Sequence, residues 1–287
     1  MAPDPRPAVP SVAVTGSTGA LGGHVARALA GQGVPLTLPA RTPSRVPDLP
    51  GAVPVGFAGY ADLASATEAL TGVETLLMVS GSESGDRVTE HRTFIDAAGA
   101  AGVQHVVYTS FVGASPECTF TLGRDHAATE EHLRASGLSW TFLRDNFYLD
   151  FLGALADEHG DIRGPAGEGR VAAVARADAA DCAVTVLQDP GAHVGAMYDL
   201  TGPEALTFAE VAEIVGAHQG RSVRYVDETV EEAYASRRAW EAPQWQYDAW
   251  VSTYTAIAAG ELEHVSDDVH RLTGRAPVSL AELLARG

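Results

Sequence analysis

The sequence predicts an α/β protein in which a doubly wound parallel sheet is followed by a smaller C-terminal α/β lobe. Three observations support this fold class: strand-like runs are apolar throughout, helix-spaced segments separate them, and a glycine-rich turn follows the first run. Strands that lack polar alternation indicate a sheet buried on both faces. Right-handed crossovers between parallel strands then place helices on both sides of that sheet.

The first half of the chain supplies most of the predicted elements. Apolar residues three and four apart indicate helices, and short apolar runs bounded by turn residues indicate buried strands. The predicted strands cover residues 11–15, 36–38, 53–55, 75–79, 105–109 and 140–143, and the predicted helices cover residues 21–32, 89–101 and 125–135.

The pattern changes after residue 144, where glycine and proline become frequent and indicate loops such as 164–169. A strand over 197–200 and a helix over 207–218 follow. We expect a flexible N-terminal tail over 1–10, a main domain over 11–145, and a smaller lobe over 146–287 whose segments in part return to the main sheet.

Composition excludes several classes of partner. The chain carries 37 acidic and 19 basic residues, a formal charge of −18, and no basic run. A surface of this sign repels phosphate backbones and anionic lipids, so we expect neither a nucleic-acid nor a membrane partner. Cys118 and Cys182 lie far apart, and neither they nor the histidines show a metal-ligand spacing. Reduced cysteines and the lack of a signal peptide favour a cytoplasmic protein without a metal.

The glycine-rich turn indicates a dinucleotide. Gly16, Gly19 and Gly22 stand between the first strand and the first helix. In this context they permit a tight turn, close approach of a pyrophosphate, and close packing of helix on strand. The helix N-terminus adds free N–H groups for the phosphates. The turn therefore predicts a Rossmann-type fold, with a purely structural glycine-rich turn as the alternative.

The end of the second strand selects the nucleotide. An acidic residue usually stands there in proteins that bind NAD, where it accepts hydrogen bonds from the ribose hydroxyls. This chain has Arg41 and Arg45 instead, and no carboxylate between them. A guanidinium can pair with the 2′-phosphate, so we predict NADP(H). The alternative is a pair of solvated loop arginines.

With these motifs the sequence resembles the NmrA-like atypical short-chain dehydrogenases, over most of its length. It is most similar to type 2 NAD(P)H:quinone oxidoreductases and triphenylmethane dye reductases. The resemblance implies an NADPH-dependent reductase of a quinone or a dye-like aromatic electrophile. The matching segments are 14–22, 91–92, 97–103, 108–110, 126–131, 141–148, 176–180 and 254–272.

The chain departs from the wider superfamily at two points. Aligned on 127–131, the positions of the usual catalytic tyrosine and lysine hold Leu122 and His126. A missing tyrosine acid argues against ordinary alcohols, whereas quinones and cationic dyes accept hydride readily and take a proton from water. After the third strand such proteins often have an Asp, which holds the adenine amino group, followed by an apolar or aromatic residue. Gly59 and Tyr60 stand there in this chain, so we expect backbone, Tyr60 or Phe57 to contact the base.

Four loops should meet at the carboxyl ends of the strands, where such folds bind ligands. The catalytic candidates are Ser110, which could hydrogen-bond a substrate oxygen, His126 at the lysine position, and Tyr148 as a substitute acid. We predict a substrate pocket walled by Phe111, Phe147, Tyr148 and Trp245. The predicted cofactor-binding residues are Gly16, Ser17, Thr18, Gly19, Ala20, Leu21, Gly22, Arg41, Arg45, Tyr60, Val79, Ser80, Gly81, Thr109, Ser110 and Asn146.

Two functions remain open at this point. One is the reductase, acting on a small aromatic or quinone substrate, in a chain that can also form a homodimer. The other is a sensor that binds NADP(H) without turnover and signals through a partner protein. Trp240, Trp245 and Trp250 either pack the lobe against the sheet or line an aromatic pocket. A pocket suited to a flat ligand favours the reductase.

Overall fold

The computed structural model describes residues 11–286, so the predicted tail over residues 1–10 lies outside the described residues. Within this range, seven parallel strands form the main sheet in the order β3-β2-β1-β4-β5-β6-β9. The predicted doubly wound, Rossmann-type sheet is confirmed. The strands are β1 (Val12–Val14), β2 (Leu36–Ala40), β3 (Ala52–Gly56), β4 (Thr75–Met78), β5 (His105–Phe111), β6 (Ser139–Asp145), β7 (Asp161–Gly164), β8 (Arg170–Val171), β9 (Met197–Leu200), β10 (Leu206–Thr207) and β11 (Arg224–Asp227).

Helices cover both faces of the sheet. In β4, Leu77 packs on the side of α1 and α6, while Leu76 and Met78 pack on the side of α2, α3 and α4. Because neighbouring strand residues point to opposite faces, the apolar runs of the sequence serve both cores. The helices are α1 (Ala20–Gly31), α2 (Leu63–Leu70), α3 (Arg87–Ala101), α4 (Thr121–Ala135), α5 (Leu149–Leu152), α6 (Arg176–Gln188), α7 (Phe208–Gln219), α8 (Val230–Arg237), α9 (Gln244–Ala258), α10 (Asp268–Thr273) and α11 (Leu280–Arg286).

The chain reverses its direction of travel across the sheet between β1 and β4. From β1 it proceeds outward through β2 and β3, and from β4 it proceeds to the other side. Such a switch opens a crevice beyond the carboxyl ends of the strands, where doubly wound folds bind their ligands.

A second hydrophobic core lies beyond the end of β5. It contains Ile162, Phe208 and Ile257 from the C-terminal half, together with Phe111 at the end of β5 and Phe120 from the segment after it. Two small sheets frame this core, with β7 parallel to β11 and β8 antiparallel to β10. The lobe thus packs against the same end of the sheet where the crevice opens, while α6 and β9 return to the main sheet.

Candidate functional site

A cavity of about 520 Å³ occupies the crevice between the ends of β1, β2, β3 and β4, and we call it the nucleotide cleft. Nine of the predicted cofactor-binding residues line it: Gly16, Ser17, Thr18, Arg41, Arg45, Tyr60, Val79, Ser80 and Gly81.

The glycine turn has the geometry that its sequence predicts. Gly16 adopts φ +66°, which is the left-handed region where glycine is favoured. A Cβ atom on Gly22 would lie 2.5 Å from the Thr15 carbonyl oxygen, so no side chain fits there without moving the backbone. At Gly19 the nearest atom, the Gly16 carbonyl oxygen, would be 3.3 Å away. The turn is therefore built on close approach of α1 to the end of β1.

The start of α1 is free to bind an anion. Gly19 provides no side-chain cap, and no acidic residue stands in the first turn. The Ser17 hydroxyl is buried without a hydrogen-bond partner among residues 11–286. Unsatisfied N–H donors and an unpaired hydroxyl beside a glycine turn fit a pyrophosphate. Ala20 begins the helix at this point, whereas Leu21 packs into the core.

Two exposed arginines stand at the opposite end of the cleft. Arg41 and Arg45 follow β2, and neither forms an ion pair within the described part of the chain. Phe57 and Tyr60 line the cleft beside them, with ring centroids 6.1 Å apart. This end of the cleft offers positive charge and aromatic surface, which suit an adenosine phosphate.

Side chains hold the backbone of the loop after β4 at three consecutive residues. The Tyr60 hydroxyl lies 2.6 Å from the Val79 carbonyl oxygen, and the Ser80 N–H donates to Thr109 Oγ1 at 2.8 Å. At Gly81 the N–H donates to His91 Nε2 at 2.8 Å, while its carbonyl oxygen accepts from Arg87 Nε at 3.0 Å. This loop forms the floor of the cleft on the β4 side, and its shape depends on α3 and β5.

His91 and Arg87 did not stand out as site residues in the sequence, although His91 lies in a family-matching segment. Because Gly81 donates to Nε2, the neutral His91 ring carries its proton on Nδ1, which donates to Thr129 Oγ1 at 2.9 Å. Burial, reinforced by the nearby Arg87 charge, lowers the pKa of His91 to about 3. The ring is thus a neutral structural acceptor at physiological pH.

His126 belongs to the same buried network. Arg87 Nη2 donates to its Nε2 at 3.1 Å, so its Nδ1–H donates to the Tyr108 hydroxyl at 2.8 Å. Burial, aided by the Arg87 charge, lowers the pKa of His126 well below its ordinary value. His126 thus supports Arg87 at the start of α3 and lines neither cavity.

Ser110 is also turned away from the cavities. Its hydroxyl donates to Glu130 Oε1 at 2.6 Å, and it is only 3% exposed. The Glu130 carboxylate is paired in turn with Arg144 at 2.7 Å and Arg134 at 3.0 Å. The predicted substrate contact of Ser110 therefore has no geometric support in this structure. Asn146 is likewise buried and bonds the backbone of Leu262.

A second cavity of about 810 Å³ lies between the main sheet and the lobe, and we call it the aromatic cavity. Glu83 lines both cavities, so they adjoin. Of the predicted substrate residues, Phe147 and Tyr148 line it, while Phe111 packs behind Phe147 at 5.1 Å between centroids. Its aromatic lining residues are Phe120, Phe147, Tyr148, Phe151, Trp240, Trp250 and Tyr254.

The tryptophan cluster divides between two places. Trp240 and Trp250 line the aromatic cavity and meet edge to face at 6.2 Å. Trp245 lies instead beside Gly85, where its indole nitrogen would be 3.6 Å from a Cβ on that glycine. The interpretation of the cluster as a pocket lining thus applies to two of its three members.

The Tyr148 hydroxyl already has a hydrogen-bond partner within the protein. It donates to Asp145 Oδ2 at 2.6 Å, and the other oxygen of this buried carboxyl has no partner among residues 11–286. Burial raises the pKa of Asp145 to about 7, although the hydrogen bond from Tyr148 acts in the opposite direction. Burial and the Asp145 charge raise the pKa of the Tyr148 phenol well above its ordinary value.

A protein-family model described as NAD(P)H-binding matches residues 16–190, which is more than half of the chain. The chain belongs to the NAD(P)H-binding family. Among relatives, the chain is 34% identical over 282 residues to Quinone oxidoreductase 2 of Escherichia coli, covering 94% of this chain and 96% of the relative. It is 32% identical over 275 residues to the NAD(P)H azoreductase of Xenophilus azovorans, covering 94% and 96%.

Solved structures of family members agree with these relationships. The NADPH-dependent quinone oxidoreductase of Escherichia coli, complexed with NADPH, superposes with a TM-score of 0.87 at 33% identity, covering 96% of this chain and 99% of that one. The Citrobacter sp. triphenylmethane reductase, complexed with NADP(H), gives 0.82 at 30% identity, covering 96% and 99%. The predicted relationship to quinone oxidoreductases and triphenylmethane dye reductases is confirmed. No helix within residues 11–286 has the length and apolar character needed to cross a membrane.

Proposed function

We propose that this NAD(P)H-dependent oxidoreductase uses NADPH to reduce quinones or similar conjugated aromatic electrophiles. The observation that carries the proposal is the aromatic cavity, which adjoins the nucleotide cleft at Glu83 and is large enough for a flat ring system. The named activities of the relatives, on quinones, azo compounds and triphenylmethane dyes, support the same substrate class.

The residues of the cleft suit each part of NADPH. The glycine turn and the uncapped start of α1 would take the pyrophosphate, and Arg41 with Arg45 the 2′-phosphate. The loop of Val79, Ser80 and Gly81 would take the nicotinamide ribose, since its backbone is held rigidly by neighbouring side chains. We accordingly propose the segment 11–145 as the NADP-binding domain and 146–287 as the substrate-binding lobe.

NADPH supplies a hydride, that is, one hydrogen with two electrons, when it is bound beside the acceptor. The quinone takes both electrons and becomes a hydroquinone monoanion, which then takes one proton from water. Within this scheme the protein binds and orients the cofactor and the acceptor, and the Tyr148 hydroxyl holds Asp145 in place of protonating the substrate.

NADPH oxidation with a panel of quinones, dyes, ketones and secondary alcohols tests the proposal. We expect rates that rise with the reduction potential of the quinone, and no turnover with simple ketones or alcohols. Tight NADPH binding without consumption on any quinone or dye would contradict the proposal and favour the sensor function instead. Calorimetry with NADPH alone measures the binding part independently of turnover.

A further inference from the structure

Three arginines line the aromatic cavity, and two of them are neutralised by carboxylates. Arg163 pairs with Asp161, and the buried Arg237 pairs with Glu228 at 3.1 Å. Arg176 differs, because its guanidinium has neither an ion-pair nor a hydrogen-bond partner among residues 11–286. It stands 5.1 Å from the centroid of the Tyr148 ring, on the cavity wall.

A structural role does not account for this cation. Arg176 is the first residue of α6, where the helix dipole disfavours positive charge. Its backbone N–H donates to Asp150 Oδ2 at 3.0 Å, a bond that any residue except proline could make at this position. The stacking on Tyr148 orients the guanidinium, and no carboxylate within residues 11–286, Asp150 included, lies within ion-pair distance of it. An unpaired, half-buried cation in a cavity therefore calls for a ligand with the opposite charge.

The other charged groups around the cavity are consistent with a localised anion site. The oxygens of Asp161 are shared between Arg163 and Arg224. Glu83 and Asp157 also line the cavity, but neither lies within ion-pair distance of Arg176. The carboxyl of Asp145 points to Tyr148, and burial raises its pKa to about 7, which reduces its negative charge near neutrality.

We propose that Arg176 binds an anionic oxygen group, such as a sulfonate or carboxylate, carried by the aromatic substrate. This inference rests on the proposed function and specifies its substrate class. The flat ring system would lie among the aromatic walls of the cavity, while the planar guanidinium donates paired hydrogen bonds to the anionic substituent. In a chain with a formal charge of −18, a local cation is needed to retain such a substrate.

Two substrates and two variants distinguish anion binding by Arg176 from a structural role of this residue. The substrates are 1,4-naphthoquinone and its 2-sulfonate, and the variants are Arg176→Gln and Arg163→Gln. Both variants remove one positive charge from the same cavity, but the charge of Arg163 is already paired with Asp161. The measured quantity is the ratio of kcat/KM for the sulfonate to kcat/KM for the neutral quinone.

Arg176→Gln should lower this ratio on the order of 10- to 100-fold, as expected for a charge-assisted contact. Arg163→Gln should change it by less than about fivefold. An equal loss with both quinones, or an unchanged ratio in Arg176→Gln, would overturn the assignment. If the unmodified protein oxidised NADPH with neither quinone, the proposed function would fail separately.

A direct measurement of quinone sulfonate binding tests the inference independently of turnover. Trp240 and Trp250 line the cavity, so quenching of their fluorescence reports a quinone sulfonate bound to the protein loaded with NADP⁺, which cannot donate a hydride. Arg176→Gln should raise its dissociation constant by the same 10- to 100-fold. An unchanged dissociation constant overturns the anion site whether or not turnover occurs.

Discussion

Replacing Tyr148 with phenylalanine distinguishes a proton donor from a structural hydrogen-bond donor in the wall of the aromatic cavity. The substitution removes a single hydroxyl, which donates to Asp145 Oδ2 at 2.6 Å. Asp145 is 4% exposed, and its Oδ1 has no partner among residues 11–286. The variant therefore leaves a buried carboxyl with no hydrogen bond at all. Its main effect should be on stability.

The magnitude follows from the burial of Asp145. A buried polar group that loses its partner costs about 1–3 kcal/mol. In a chain of this size, each kcal/mol lowers the melting temperature by roughly 2–4 °C, so we expect a decrease of roughly 2–12 °C. Turnover should fall by less than about tenfold if the hydroxyl only orients the loop. Loss of a general acid would instead reduce it by about 10²–10⁴-fold.

The assay pairs thermal unfolding with NADPH oxidation by 1,4-naphthoquinone. Tyr234→Phe is the matched control, because the Tyr234 hydroxyl donates to the half-buried Asp248 at 2.8 Å, away from the aromatic cavity. Its carboxylate partner stays hydrated, so the control should cost less than about 1 kcal/mol. A fall in kcat of more than about 100-fold in Tyr148→Phe, at an unchanged melting temperature, would refute the structural role and identify Tyr148 as the acid.

Three further predictions concern cofactor choice, the glycine turn and pH. Arg41→Ala should abolish most of a preference for NADPH over NADH, at about 1–3 kcal/mol in calorimetry, and equal dissociation constants in the unmodified protein would contradict this. Gly22→Ala should abolish NADPH binding and lower the melting temperature because its Cβ would lie 2.5 Å from a backbone oxygen, whereas Gly31→Ala, with open space around it, should bind normally. Asp145 binds its proton more tightly in the folded state, since its pKa is raised to about 7, so its contribution should make the free energy of unfolding decrease as the pH rises from about 4 to 7. Asp145→Asn should remove that slope, and an unchanged slope in denaturant titrations at several pH values would exclude Asp145 as its source.

The seven strands of the main sheet were predictable because buried parallel strands are apolar on both faces, a pattern that needs no knowledge of partners, whereas the short strands β7, β8, β10 and β11 were not predicted. Of the helices that flank the main sheet, α2 and α6 gave no comparable signal. The segment of α2 is short, and its first residue, Leu63, is 49% exposed. The segment of α6 packs against α1 and α10 as well as the sheet, so it lacks a polar face and the helical period is weak. Tertiary packing determines these helices more than their own pattern does.

The residues of the functional site were likewise predictable only in part. Glycine positions and the arginines after β2 depend on backbone geometry and local charge, which the sequence displays. The direction of a side chain at the end of a strand depends instead on the elements that pack against that strand. Ser110 and Thr109 are neighbours, yet Thr109 fixes the cleft loop while Ser110 joins Glu130. That choice depends on a carboxylate twenty residues away, whose position only the packing of α4 on β5 determines.

Within residues 11–286, the wall of the aromatic cavity at Tyr148 combines a phenol that is bonded to a carboxyl with a cation, Arg176, that has no ion-pair partner. On α4, Leu122 packs against the second core, and His126 is held neutral by burial, so neither supplies a proton at neutral pH. The phenol of Tyr148 is committed to Asp145. Under the proposed function, an acceptor bound beside Tyr148 takes the hydride without simultaneous protonation, and a conjugated electrophile delocalises the resulting negative charge. A site built in this way benefits from fixed positive charge near the acceptor more than from a proton donor, and Arg176 is the one described arginine of the aromatic cavity that has no carboxylate within ion-pair distance.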